Sequence, residues 1–222
     1  ISTIMHEFLC LAIVVFMNTH KSGNRIDDFP TFVIGLSLLK KPQMIPGGIM
    51  KDLIKKLVEA SGPSGFEENV RELIRSEVQA YVDEIRVDNL GNLIARKGEK
   101  TEKSKRIMVA GHMDEIGIMV THVDENGFVR FTNVGGVNPF TCIGSRVRFM
   151  DGTAGVVMVE FANFGSFFGM ERPSLDKMYI DVGATSRDDC PVKVGQVAAF
   201  DRPFEDLGKR LVSKAMDDRI AT

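Results

Sequence analysis

Two segments of the chain carry apolar residues at the three- and four-residue spacing that is typical of an amphipathic helix. In the first segment, MKDLIKKLVEASG, the apolar positions are Leu53, Ile54, Leu57 and Val58. This pattern predicts a helix that ends near Gly62 and Pro63, because glycine and proline terminate helices.

The second segment follows the sequence SGPSG, and its apolar positions are Val70, Leu73, Ile74 and Val78. Their spacing predicts a second amphipathic helix. Ser64 is a candidate N-cap for this helix, because Glu67 stands three residues later and would complete a capping box.

A hairpin and a buried strand are predicted next. The segment EIRVDNLGNLIARKG alternates apolar and polar residues and turns at 88–92, as a β-hairpin does. The segment RIMVAG is a short continuous apolar run, which is typical of a strand buried on both faces. Helices that precede such a strand indicate an α/β domain.

The pattern changes after Gly117. Short segments rich in β-branched residues alternate with turn signals at 125–127, 135–136 and 151–152. No helical period of useful length occurs between about Ile118 and Phe200. We therefore predict a small β-barrel or β-sandwich that is inserted into the α/β domain.

The composition is that of a globular protein without a strongly charged surface. The chain has 222 residues, of which 44% are hydrophobic and 26% charged, and its formal net charge is -2. This charge gives no reason to expect nucleic acid or an anionic membrane as a partner.

The three cysteines, Cys10, Cys142 and Cys190, lie far apart without CxxC spacing. They argue against a disulfide framework and favour a cytoplasmic location.

The segment 1–49 has no clear place in this pattern. Its apolar run at 8–17 is shorter than the roughly 20 residues that span a bilayer, and no basic residue precedes it as in a signal peptide. The two glycines before Ile49 and Met50 can be encoded by a bacterial ribosome-binding sequence. We therefore hypothesise that residues 1–49 are a translated leader and that the natural protein begins at Met50. Peptides from the Ile1 region in the natively expressed protein would contradict this hypothesis.

Polar residues interrupt the apolar run RIMVAGHMDEIGIMV. In an extended chain the side chains of His112 and Asp114 point to the same face. At the C-terminal end of a strand they would lie where open α/β sheets bind ligands. A histidine with a nearby carboxylate suits a metal site, because the carboxylate orients the imidazole ring. The alternative is a strand end whose polar residues only meet solvent.

The adjacent aspartates in SKAMDDRIA are a second candidate site, since one carboxylate can bridge two divalent cations. The alternative is a helix N-terminus, with Asp217 as the N-cap and Asp218 in the first turn.

The other polar features are weaker signals. The SGPSG turn could hold an anion, although a tight turn between two helices is the simpler interpretation. His6 and His20 lack an acid at ligand spacing, and the acid near His122 belongs to the predicted turn after VTHV. The chain also lacks the motifs of serine hydrolases, P-loop NTPases and dinucleotide-binding proteins.

Seven segments occur together in an order that resembles a known family. In chain order they are ASGPSGFEENVRELI, DNLGNLIARKG, VAGHMDEIGIMVTHVDENGFVRF, VGG, MYIDVGATSRDD, VKVGQVAAFD and LVSKAMDDRIA. Their wording, order and spacing resemble the dinuclear metallo-aminopeptidases of the glutamyl aminopeptidase and tetrahedral aminopeptidase type. The resemblance covers nearly all of 50–222, and GHMDEIG together with KAMDDR is its most specific part.

The resemblance implies an α/β/α catalytic domain that is interrupted by a small β-barrel domain used in oligomerisation. After the leader at 1–49, we expect a first catalytic part at 50–116, the barrel at 117–202 and the start of a second catalytic part at 203–222. The family releases N-terminal residues from peptides and uses two divalent ions, usually zinc or cobalt, in each complete subunit. It also implies a homo-oligomer, either a dimer or a larger shell.

The match of motifs implies roles for individual residues. His112 would ligate one ion, and Asp217 would bridge both ions. Asp114 would orient His112 and support the catalytic base, whereas Asp218 would lie outside the ligand shell. Glu115 cannot supply a further ligand, since it alternates to the opposite face from Asp114.

The family's general-base glutamate and its remaining metal ligands follow KAMDDR, so this chain carries only His112 and Asp217 of the expected shell. Two ligands cannot hold a dinuclear centre, because such ions take four or more. We therefore expect these 222 residues to be inactive on their own. The alternatives are a hydrolase of another class on the same scaffold, such as a glucanase or a deacylase, and a non-catalytic oligomerising module.

Overall fold

The computed structural model describes residues 12–19, 47–98, 105–160 and 173–220. The chain divides into two compact units. The described part of the sheet unit comprises 12–19, 47–60, 68–98, 105–113 and 216–220. The described part of the barrel unit comprises 61–67, 114–160 and 173–215. The domain boundaries expected from the sequence stay a prediction, and His6, His20, Cys10 and most of the predicted leader lie outside the described residues.

The described part of the sheet unit contains a sheet of four strands in the order β2–β3–β1–β4. Its strands are β1 (Ala12–Thr19), β2 (Glu84–Val87), β3 (Leu93–Lys97) and β4 (Lys105–His112). Strand β1 runs parallel to β3 and antiparallel to β4. It falls within the segment that was predicted to be a leader, and that hypothesis stays a prediction.

Both predicted amphipathic helices are confirmed. Helix α1 spans Gly47–Glu59 and helix α2 spans Glu68–Val78, with a short 3-10 helix at Gln79–Tyr81. Their apolar residues pack with β3 and with the residue after β4, in a core that consists of Leu57, Val70, Ile74, Leu93 and Met113. Burying one such side chain contributes about 1.5–3 kcal/mol to folding.

The predicted hairpin is also confirmed, since β2 pairs with β3 in antiparallel register. The side chain of Asp88 closes the turn, because its Oδ1 atom accepts hydrogen bonds from the amides of Leu90 and Asn92 at 3.0 and 2.9 Å. An aspartate that binds the backbone two residues later is a typical turn former.

The prediction of a capping box at the start of α2 is wrong. The helix begins at Glu68, and Ser64 lies in the preceding turn. The Ser64 hydroxyl donates to the carboxylate of Asp114, while the Glu67 carboxylate accepts from the Gly65 amide. Ser64 therefore lies four residues before the first residue of the helix, which is too far away for it to be the N-cap.

Strand β4 exists as predicted, but the prediction that it is buried on both faces is wrong for the described residues. Ile107 and Met108 are 43% and 61% exposed. Consecutive side chains of a strand point to opposite faces of the sheet, so the described residues leave both faces of β4 uncovered at this point.

The barrel unit confirms the all-β prediction. Six strands close into a barrel in the order β10–β5–β6–β9–β8–β7. They are β5 (Gly117–Val123), β6 (Val129–Val134), β7 (Arg146–Phe149), β8 (Ala154–Val159), β9 (Met178–Asp181) and β10 (Val197–Phe200). A short helix α3 at Pro139–Cys142 and a 3-10 turn at Leu175–Lys177 lie between strands, and a small hairpin of β11 (Glu205–Asp206) and β12 (Leu211–Val212) follows.

Alternate residues of the barrel strands face one apolar core. Along β5 the side chains of Ile118 and Val120 are buried, and along β7 Val147 and Phe149 are buried between exposed arginines. This two-residue period is the expected one for a sheet with one face inside. Cys142 is a free thiol in this core, and its burial raises its pKa; Cys190 is also a free thiol.

One loop of the barrel unit is organised by a single carboxylate. Asp189 accepts hydrogen bonds from the amides and hydroxyls of Thr185 and Ser186, and these bonds lower the pKa of Asp189 to about 2. In the same loop the Arg187 Nε atom donates to the carbonyl of Val123 at the end of β5. The segment MYIDVGATSRDD therefore has a structural role in joining this loop to the barrel.

Within the described ranges, no helix is long and apolar enough to cross a membrane.

Gly155 on β8 offers a test of the barrel packing. A Cβ atom at this position would overlap Cγ2 of Ile180 and lie 3.2 Å from the carbonyl oxygen of Asp181. We predict that Gly155→Ala lowers the free energy of unfolding by about 1–3 kcal/mol, because the neighbouring strand must shift. Gly136→Ala is the control, since a Cβ atom there has no neighbour within 4 Å. Equal stability of the two variants in urea unfolding would contradict the packing described here.

Candidate functional site

The end of β4 and the short segment α4 bring two of the predicted site residues together in the sheet unit. His112 is the last residue of β4, and Asp217 is the second residue of α4 (Met216–Arg219). The Nε2 atom of His112 lies 3.3 Å from the Oδ1 atom of Asp217. The His112 side chain is 29% exposed and that of Asp217 is 98% exposed. The pair therefore faces solvent and is accessible to a ligand.

This distance fits two kinds of interaction. It fits a hydrogen bond between the imidazole and the carboxylate. It also fits two ligands of one ion, because donors about 2 Å from a tetrahedral metal lie about 3.3 Å from each other. Imidazole nitrogen and carboxylate oxygen are both ordinary ligands of zinc and other divalent ions.

The ligand set offered by the described residues is incomplete. Among them, no group of three or more histidine, cysteine, aspartate or glutamate side chains is arranged to hold a metal ion. His112 and Asp217 thus supply two donors where zinc sites have four ligands. The donor chemistry of the pair fits a divalent ion, and the number of donors fits only part of its shell.

The backbone around Asp217 is not a regular helix. Asp217 has φ -93° and ψ 109°, Asp218 has φ -123° and ψ 27°, and the peptide bond between them is cis. The extended dihedrals of Asp217 are compatible with those of an N-cap residue, and the residues after 220 lie outside the described ones. The interpretation of Asp217 as the N-cap of a helix therefore stays a prediction.

Asp114, the third predicted site residue, belongs to the barrel unit and accepts a hydrogen bond from the Ser64 hydroxyl. The SGPSG turn thus binds a carboxylate of the same chain. This contact supports the interpretation of the turn as structural, because its serine is already engaged.

Glu115 is buried and belongs to an ion pair that the sequence did not reveal. Its Oε1 atom lies 2.7 Å from Nζ of Lys214 and accepts a 3.0 Å hydrogen bond from the Gly62 amide. The side chains of Glu115 and Lys214 are only 3% and 11% exposed. The backbone of Glu115 also pairs with that of Pro63 and its neighbours. Glu115 therefore joins three segments of the barrel unit: the turn at 62–65, the segment before β5 and the segment after β12.

Arg219 is the other residue that sequence reasoning missed. Its side chain is completely buried, and its guanidinium donates to the backbone carbonyls of Leu57, Ala60 and Met113. A buried arginine is rare unless its charge is paired or fully hydrogen-bonded. The only local signal was its place two residues after Asp217, and that signal does not indicate burial.

Comparison with known proteins identifies a family and several relatives of this chain. The profile of peptidase family M42, described as M42 glutamyl aminopeptidase, matches residues 91–222. A protein of Acetivibrio thermocellus that is named as an aminopeptidase is 49% identical over 173 residues, which is 77% of this chain and 50% of that protein.

Solved structures agree with the fold. The TET1 peptidase of Pyrococcus horikoshii, which can assemble into a tetrahedron or a large octahedral shell, is 29% identical with a TM-score of 0.66. The alignment covers 78% of this chain and 53% of that one. An endoglucanase of Thermotoga maritima is 32% identical with a TM-score of 0.62, over 75% of this chain and 50% of that one.

The α/β sheet unit, the closed β-barrel and the matched motifs define the class as that of the M42 family. The chain belongs to the M42 family of aminopeptidases. It spans about half the length of the curated relatives that it matches.

The buried ion pair gives a prediction about stability. We expect Lys214→Met to lower the free energy of unfolding by about 3–5 kcal/mol, because it leaves the Glu115 carboxylate buried without its cation. The double variant Glu115→Gln with Lys214→Met should recover part of this loss, since neither charge of the pair remains.

The control for this prediction is Glu84→Gln, which breaks the exposed pair with Arg96. Exposed pairs are worth about 0–1 kcal/mol, so the control should remain close to the wild type. Equal losses in the single variant Lys214→Met and in the control, measured by urea unfolding, would contradict the role of the buried pair.

Proposed function

We propose that His112 and Asp217 are metal ligands in the active site of a metal-dependent aminopeptidase, which releases N-terminal residues from peptides. Two observations support this proposal. The chain belongs to the M42 family, and the structure places the Nε2 atom of His112 3.3 Å from the Oδ1 atom of Asp217. The second observation carries the proposal, because 104 residues separate the two positions in the sequence and only the fold brings them together.

The exposure of Asp217 suits the bridging role that the family resemblance implies. Its side chain is 98% exposed, so the carboxylate oxygen that does not face His112 is open to solvent. One carboxylate can use both of its oxygens on two cations. His112 can donate a single ring nitrogen to one ion, and the other ring nitrogen then has to be fixed by a further group.

Two bound divalent ions, zinc or cobalt by the family resemblance, would lower the pKa of a coordinated water and polarise the scissile carbonyl. The residues of this chain would hold the ions in place and set their positions. Asp114 is proposed to orient the His112 imidazole and to support the catalytic base. Its own carboxylate is fixed by the Ser64 hydroxyl. Asp218 is proposed to lie outside the ligand shell.

The two proposed ligands do not suffice for catalysis. A catalytic zinc needs three protein ligands and a water, and a dinuclear centre needs more. We therefore propose that the general base and the remaining ligands are supplied by sequence that follows KAMDDR in the longer relatives. These 222 residues should release no product from aminoacyl nitroanilides, with or without added metal.

A glucanase is the second candidate, and the endoglucanase of Thermotoga maritima among the structural neighbours is the observation that favours it. The protein should be expressed from its complete gene and tested on aminoacyl nitroanilides and on β-glucans, each with and without chelator. Chelator-sensitive release of amino acids supports the aminopeptidase, and hydrolysis of glucans alone would contradict it.

Assembly and location are further parts of the proposal. A homo-oligomer, a dimer or a larger shell, is supported by the assembly of the Pyrococcus horikoshii TET1 peptidase, and light scattering that found only monomers would contradict it. A cytoplasmic location is supported by the free thiols of Cys142 and Cys190, since reducing compartments keep thiols free. Detection of the native protein only in an extracellular fraction would contradict that location.

The proposed ligands are tested directly by metal titration of this chain. We expect His112→Ala and Asp217→Ala each to weaken the binding of Co²⁺ or Zn²⁺ by at least about tenfold, because each removes one of two donors. The control is His122→Ala, which removes an exposed histidine on β5 and should leave the affinity unchanged. Wild-type affinity in the His112 and Asp217 variants would contradict the assignment.

A further inference from the structure

The guanidinium of Arg219 is held between two elements of the sheet unit. It donates to the carbonyls of Leu57 and Ala60 at the C-terminal end of α1, and its Nε atom donates to the carbonyl of Met113 at 2.7 Å. The side chain has no solvent exposure. These contacts give the buried charge several carbonyl partners, as a buried guanidinium requires.

The position at the end of α1 has an electrostatic reason. The last carbonyls of a helix lack partners within the helix, and they form the negative end of its dipole. A planar guanidinium with five donors can satisfy several carbonyls at once, and a lysine ammonium cannot reproduce this geometry. Arg219 therefore closes α1 as well as binding the segment after β4.

The same side chain contacts the residue after His112 and belongs to the segment that carries Asp217. Met113, whose carbonyl it binds, directly follows His112 in the chain. Arg219 itself lies two residues after Asp217, in the same short segment α4. Fixing Arg219 on Met113 thus limits how far the His112 and Asp217 side chains can move apart.

We propose that Arg219 is a positioning residue that holds His112 and Asp217 at the separation needed to share a divalent ion. The proposal rests on the proposed function, because it treats these two residues as metal ligands. Arg219 acts through the backbone of Met113 and through its own segment, and it does not touch the ion. Groups that orient metal ligands typically change metal affinity by about 10–100-fold when they are removed.

The alternative is that Arg219 only stabilises the core at the end of α1. Both roles predict a loss of stability when the guanidinium is removed. Only the positioning role predicts a change at His112 and a change in metal affinity within protein that remains folded.

The experiment compares Arg219→Lys and Arg219→Met with the wild type in the full chain. Arg71→Met is the matched control, because Arg71 is also an arginine of the sheet unit that donates to a backbone carbonyl, that of Gly91. Three quantities are measured: the free energy of unfolding, the affinity for Co²⁺, and the imidazole ¹⁵N signals of His112 in metal-free protein.

We expect Arg219→Met to weaken Co²⁺ binding by about 10–100-fold and to shift the His112 signals, with Arg219→Lys showing smaller changes in the same direction. Arg71→Met should change neither quantity. A folded Arg219→Met protein with wild-type affinity and unshifted His112 signals would overturn the proposal. If Arg219→Met does not fold, Arg219→Lys decides by the same two readouts, and failure of both variants to fold would assign Arg219 to the core alone.

The failure of the proposed function would look different. If the wild type binds no Co²⁺ while Arg219→Met still shifts the His112 signals, the metal assignment fails. The positioning of the His112–Asp217 pair by Arg219 would nevertheless stand.

Discussion

The chain enters the barrel unit after Met113 and leaves it after Ala215, and the buried ion pair between Glu115 and Lys214 joins these two segments. A buried ion pair needs close geometry and further hydrogen bonds, because both charges lose their hydration. Glu115 meets this requirement through the Lys214 ammonium at 2.7 Å and the Gly62 amide at 3.0 Å. A six-stranded barrel can therefore be inserted into the sequence while its first and last segments stay together.

The candidate site lies in the sheet unit, on the two segments that flank the barrel unit in the sequence. His112 precedes Glu115 by three residues, and Asp217 follows Lys214 by three residues. Within the sheet unit the two side chains lie 3.3 Å apart, and Arg219 binds the carbonyl next to His112. Two residues from distant parts of the sequence thus form one solvent-facing pair of metal-type donors. The proposal that this pair binds a metal ion rests on the membership of the M42 family as well as on the geometry, because two such side chains alone would not indicate a metal site.

Local patterns predicted the elements well, because helix spacing, strand alternation and turn residues act over a few positions. The two helices, the β2–β3 hairpin and the barrel were predicted in this way. Ser64 was misread as a cap, since its actual partner, Asp114, is 50 residues away. The sequence pattern excluded Glu115 as a metal ligand, but it did not identify Lys214 as the partner of Glu115. It also gave no sign that Arg219 is buried. Long-range partners of charged residues leave no periodic signal, so only the fold reveals them.

The central claim, that His112 and Asp217 bind one divalent ion together, is tested most directly by anomalous diffraction from crystals soaked in zinc. The account predicts an anomalous peak about 2 Å from both the Nε2 atom of His112 and the Oδ1 atom of Asp217. A direct hydrogen bond between the two side chains with zinc bound elsewhere or nowhere would contradict it.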